Sequence, residues 1–63
     1  MKYQIPLFEN KEIKEMDDNR LYQEIKSFKR LIYKIRKNGH NSKEAEEEVS
    51  YLQAEAQNRG FNA

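Results

Sequence analysis

Apolar side chains recur along two stretches of the chain at the spacing of a single helix face. Leu21, Ile25, Phe28, Ile32 and Ile35 stand four, three, four and three residues apart, and Ala45, Val49, Leu52 and Ala56 repeat the rhythm. Steps of three and four keep side chains on one stripe of a 3.6-residue helix, so the pattern predicts two amphipathic helices with matching stripes. Asn38-Gly39-His40-Asn41 interrupts it with residues that favour a turn. The expected fold is all-α, an antiparallel two-helix hairpin of the coiled-coil kind.

Local signals place the helix ends. Asp17 is expected to cap the first helix with its carboxylate, and Met16 and Leu21 hold the N′ and N4 positions of a hydrophobic staple. That helix should run from Asp18 to Lys37, closing with Arg36 and Lys37 against its carbonyl end and with Asn38 and Gly39 in a left-handed turn. For the second helix, Asn41 is the expected cap with Glu44 three residues on, a capping box. Gly60 ends it, and Phe61 folds back on the last turn. Folding about the turn sets Ile35 opposite Ala45, Ile32 opposite Val49, Phe28 opposite Leu52, Ile25 opposite Ala56 and Leu21 beside the stem of Arg59. Two of these layers receive only alanine from the second helix, so the seam is thin.

The chain divides into an N-terminal arm with a short helix (1–17), the hairpin (18–60) and a C-terminal tail (61–63). In the arm, Tyr3, Ile5 and Leu7 alternate with Lys2, Gln4 and Pro6, an extended pattern with one apolar edge. Asn10 to Met16 suits a short helix that sets Ile13 and Met16 on one side. Two arrangements fit. The arm lies across the hairpin and covers Leu31 or Tyr51, or it inserts into a partner by strand addition or by anchoring Tyr3, Ile5 and Leu7 in pockets.

Size sharpens the need for a partner. A domain of 63 residues buries only roughly 60% of the surface its unfolded chain exposes. Such chains are commonly reinforced by disulfides, metals or association, and this one has no Cys and a single His. A homo-oligomer, or docking on a larger protein, is therefore expected. No apolar run approaches the roughly 20 residues that span a bilayer, and the N-terminus lacks a signal-peptide core, which points to a soluble, cytoplasmic protein with no membrane partner. A compact, Cys-free, Lys- and Asn-rich chain also suits a phage or mobile-element product.

Charge is segregated although the net is only +1. Residues 19–37 carry seven basic groups and one acidic, whereas residues 38–63 carry two basic and five acidic. Pairing across the hairpin is the simplest use of this, with Arg36 and Glu46 as the best pair. The same register brings Glu24 near Glu55 and leaves Leu31 beside Glu48, which marks Leu31 as part of a second interface. On the first helix Tyr22, Lys26, Lys29, Tyr33, Arg36 and Lys37 form a stripe beside the seam, with Arg30 and Lys34 adding charge. Cations interleaved with aromatic rings suit phosphate contact and base stacking. Lysine stems lying over tyrosine rings on a solvated helix give the same spacing, and near-neutrality of the whole chain argues against a dedicated nucleic-acid binder.

Catalysis finds little footing. His40 lies in the turn, Glu44, Glu46, Glu47 and Glu48 spread around a helix instead of converging, and Ser42 and Ser50 have no base beside them. No Gly-rich phosphate loop or metal-ligand spacing occurs, so no cofactor, metal or catalytic residue is assigned.

The run Lys11-Glu12-Ile13-Lys14-Glu15-Met16-Asp17, followed by Leu21 and the basic helix, resembles the opening of a small ribosomal-protein family of the bacterial large subunit, itself an antiparallel hairpin. The resemblance implies that fold. That family's basic second helix serves ribosomal RNA, where this chain carries Glu44, Glu46, Glu47, Glu48 and Glu55, so ribosome binding is not carried over. The sequence thus leads to a small non-catalytic protein-protein interaction module that self-associates and regulates or scaffolds a larger assembly. Tyr3, Ile5, Leu7, Leu31 and Tyr51 are its expected contact residues. The alternative is an accessory nucleic-acid-binding protein using Tyr22, Lys26, Lys29, Arg30, Tyr33, Arg36 and Lys37.

Overall fold

One helix sets the long dimension of the molecule. In the computed structural model, which describes residues 5–61, helix α2 spans Asp18–Lys37, and twenty residues at 1.5 Å each give about 30 Å. The principal extents are 34 × 20 × 15 Å. Helix α1 (Asn10–Glu15) precedes it and helix α3 (Lys43–Asn58) follows. The fold is all-helical, with no strand among the described residues.

Local chemistry explains where the helices begin and end. Asp17 Oδ1 accepts the Arg20 N–H at 2.7 Å, satisfying one of the donors that a helix start leaves open. Met16 and Leu21 flank that cap, and both are buried. At the other end of α2 the Gly39 N–H donates to Arg36 O and the His40 N–H to Ile35 O, each at 3.0 Å. Gly39 sits at φ +76°. That bond pair with a left-handed glycine is the Schellman closure. Helix α3 ends the same way, with Gly60 bonded to Gln57 O and Phe61 to Ala56 O.

The start of α3 corrects the expected capping box. Ser42, not Asn41, holds the N-cap position, and its hydroxyl does not cap the helix. Instead, Ser42 Oγ donates to Glu46 Oε2 at 2.8 Å and accepts from Arg36 Nε at 3.3 Å. Asn41 Oδ1 takes the Lys43 N–H at 3.0 Å, a bond two residues on that closes a turn rather than capping a helix. The charged neighbours from α2 and from the first turn of α3 outbid the backbone for the hydroxyl.

The two apolar stripes meet. Leu21, Ile25, Phe28, Ile35, Ala45, Val49, Leu52 and Ala56 are all buried, joined by Ile13 and Met16. Arg36 pairs with Glu46 near the turn, while Asp18 at the start of α2 pairs with Arg59 just beyond α3. The helices therefore run in opposite directions. Ile32 departs from expectation, being only half-buried against the core. Two packed helices leave an open flank; Phe28 escapes this because Phe8 from the arm closes over it, ring centroids 6.4 Å apart and edge to face at 72°.

That contact shows where the arm goes. Ile5 and Phe8 are half-buried against the core, and Pro6 lines a small cleft with Glu24, Ser27, Phe28 and Leu31. Leu31, on the same cleft, is half-buried against the core. The apolar edge expected along Tyr3, Ile5 and Leu7 is not kept: Leu7 is 71% exposed, and Phe8 takes its place because the larger ring removes more apolar surface from water. Tyr3 lies outside the described residues.

Arg59 ties the three helices together at the end far from the turn. Its guanidinium donates to Glu55 Oε2 at 2.8 Å, Asp18 Oδ1 at 3.0 Å, Ile13 O at 3.2 Å and Lys14 O at 3.0 Å. The last two are carbonyls at the end of α1, of which Ile13 O also takes the Met16 N–H at 3.3 Å, and five fixed donors can reach them together. The hydrogen bond to Glu55, and then that to Asp18, raise the Arg59 pKa above its ordinary value. This also meets the Glu55 charge that the register set near Glu24.

Candidate functional site

Three surfaces hold the residues singled out in the sequence, and the structure separates them. Leu31 lines a cleft with Pro6, and it and Ile5 are each half-buried against the core. Tyr51, 57% exposed, borders a different groove between α1 and α3, lined also by Asn10, Ile13, Lys14, Ala54, Glu55 and Asn58. Leu7 is exposed on the arm. The four expected contact residues that lie among the described ones, Ile5, Leu7, Leu31 and Tyr51, do not form one patch.

The basic face of α2 is more coherent. Lys29, Arg30, Tyr33, Lys34 and Lys37 border one shallow, open depression on the surface of the helix. Residues spaced by three and four along a helix share a face, and the α2 sequence makes this face free of acid: none of residues 25–43 is Asp or Glu. Tyr33 is 67% exposed in the middle of it. Upstream, Lys26 Nζ lies 5.3 Å from the centroid of the Tyr22 ring, a cation-π contact. The expected stripe loses one member. Arg36 turns to Glu46 and Ser42 at the seam edge, and Lys34 stands in the depression instead.

His40 sits in the exposed turn between α2 and α3. Ser50 Oγ donates to Glu46 O at 3.0 Å, a bond to its own helix backbone that leaves the hydroxyl engaged. Among the described residues no three of His, Asp and Glu gather where they could hold a metal ion. Among the same residues, no helix is long and apolar enough to cross a membrane. Phe8 and the guanidinium of Arg59 carry contacts that sequence reasoning missed. The unused signal at Phe8 is a large ring beside Leu7, three residues beyond Ile5. For Arg59 only the pair with Glu55, four residues back, is local; Asp18, Ile13 and Lys14 lie more than 40 residues away.

No family model, curated protein or solved structure matches the chain. The resemblance of residues 11–21 to a ribosomal-protein opening therefore stands on those residues alone.

Proposed function

We propose that the chain is a small non-catalytic protein-interaction module of the cytoplasm. In this reading α2 and α3 form a helical hairpin with a coiled-coil-like seam, which self-associates and regulates or scaffolds a larger assembly. The observation that carries it is Tyr51, a large ring left 57% exposed beside the groove between α1 and α3. An exposed aromatic next to a recess lined by Ile13 and Ala54 is the arrangement that an interface anchor requires. The groove bears one cation, Lys14, and one anion, Glu55. Two copies can thus apply the same patch to each other about a two-fold axis without bringing like charges together.

Association of this kind couples folding to concentration. The melting temperature should rise with protein concentration, and sedimentation equilibrium should show dimer at high micromolar concentration. Tyr51→Ala should shift the equilibrium to monomer with the helical spectrum retained. Wild-type monomer throughout, with a melting temperature independent of concentration, would remove self-association from the reading.

A further inference from the structure

A different face of the molecule supports an inference that does not depend on self-association. We propose that the outer face of α2 holds single-stranded nucleic acid, with Lys29, Arg30, Lys34 and Lys37 contacting phosphates and Tyr33 as a platform for a base.

The argument begins with charge that is left unspent. None of the four cations forms an ion pair among the described residues, although Arg36 and Arg59 do. The two acids of α2 lie away from the depression: Asp18 meets Arg59, and Glu24 lines the cleft beside Pro6. Helix-dipole chemistry explains basic residues in the last turn, where Lys34, Arg36 and Lys37 stand. It does not explain Lys29 and Arg30, two turns earlier, nor an aromatic ring presented to solvent between them. Among the described residues no cation is drawn over the face of Tyr33, unlike Tyr22 beneath Lys26, and its ring is exposed to a stacking partner.

The occupant must be anionic and must carry planar groups. A second copy of the same face is excluded, because it would set cations against cations. A run of acidic residues supplies charge but no aromatic ring to stack on Tyr33. Duplex DNA or RNA keeps its bases sealed in the stack. A single strand supplies both a phosphate row and unpaired bases, the combination that cationic tracks with aromatic platforms take without reading sequence. The near-neutral chain total does not weigh against this, since none of the acids lines the depression.

The test is fluorescence anisotropy with a labelled oligothymidylate of about twenty nucleotides, beside a duplex and polyglutamate of matched charge. Four neutralised phosphates give a salt slope of about −2.8 for a single strand, a loss of affinity of about fiftyfold between roughly 50 and 200 mM salt. Lys29→Gln with Arg30→Gln should halve the slope, leaving a loss of about sevenfold over the same range. Tyr33→Leu should weaken binding by at least about fivefold and leave the slope unchanged. All three positions are exposed, and the helical spectrum verifies each variant. Should the first pair disturb the helix, Lys34→Gln with Lys37→Gln reads the same quantity. Tyr51→Ala should leave binding intact, which keeps failure here distinct from failure of self-association. Absence of binding at low salt overturns the proposal. So does a duplex held as tightly as the single strand, or polyglutamate bound equally well with Tyr33→Leu neutral, which would assign the face to an acidic protein.

Discussion

The ring pair of Phe8 and Phe28 is the best-defined contact between the arm and α2, and a double-mutant cycle on it measures how far that contact holds the arm on the fold. Phe8 and Phe28 meet edge to face at 6.4 Å, a geometry in which the positive rim of one ring faces the negative face of the other, contributing about 0.5 to 1.5 kcal/mol beyond area burial. Phe28 is 3% exposed, and its truncation to alanine would cost about 3 to 5 kcal/mol. A domain of this length has only about 3 to 9 kcal/mol in total. Leucine is therefore the better probe, because it removes the ring while keeping most of the volume and the protein folded. Urea denaturation of wild type, Phe8→Leu, Phe28→Leu and the double variant, followed by circular dichroism, gives the four free energies. With a slope of about 1 kcal/mol per molar urea, a coupling in the expected range separates the double variant's midpoint from the additive value by about 0.5 to 1.5 M. Phe8→Leu by itself should lower the midpoint less than Phe28→Leu, because Phe8 is only half-buried. Effects that add to within about 0.3 kcal/mol would mean that the rings do not interact. The arm would then not be held on α2 by this contact, and the expectation that it anchors a partner would regain its force.

Two further outcomes follow from burial and backbone geometry. Leu52→Ala should cost about 2 to 5 kcal/mol and leave little cooperative melting, since Leu52 is fully buried, whereas Ile32→Ala should cost clearly less; equal losses would contradict the open flank at Ile32. Gly39→Ala should cost about 1 to 2 kcal/mol through backbone conformation alone, because an added Cβ meets nothing within 4 Å while φ stays at +76°; an unchanged melting temperature would show that the turn adopts another conformation.

The helices were legible because their signals are local. Periodicity places Leu21 through Ile35 on one face, and the Asp17 cap and the left-handed glycines at 39 and 60 act through bonds no more than five residues long. Such bonds form whatever the rest of the chain does. The α3 cap was misjudged by one residue because the competition for Ser42 includes Arg36 from the preceding helix. Phe8 over Phe28 and the Arg59 knot are more distant still: nothing in either residue's neighbourhood says which ring or carbonyl it will reach. The basic face divides the same way. The acid-free run of residues 25–43 is plain in the sequence, and so is the pairing of Arg36 with Glu46, but only packing sets Pro6 and Leu31 on one cleft and leaves Tyr33 and four cations facing water. Spacing along a helix determines which residues share a face; which of them remain available depends on what the other helices and the arm bring against it.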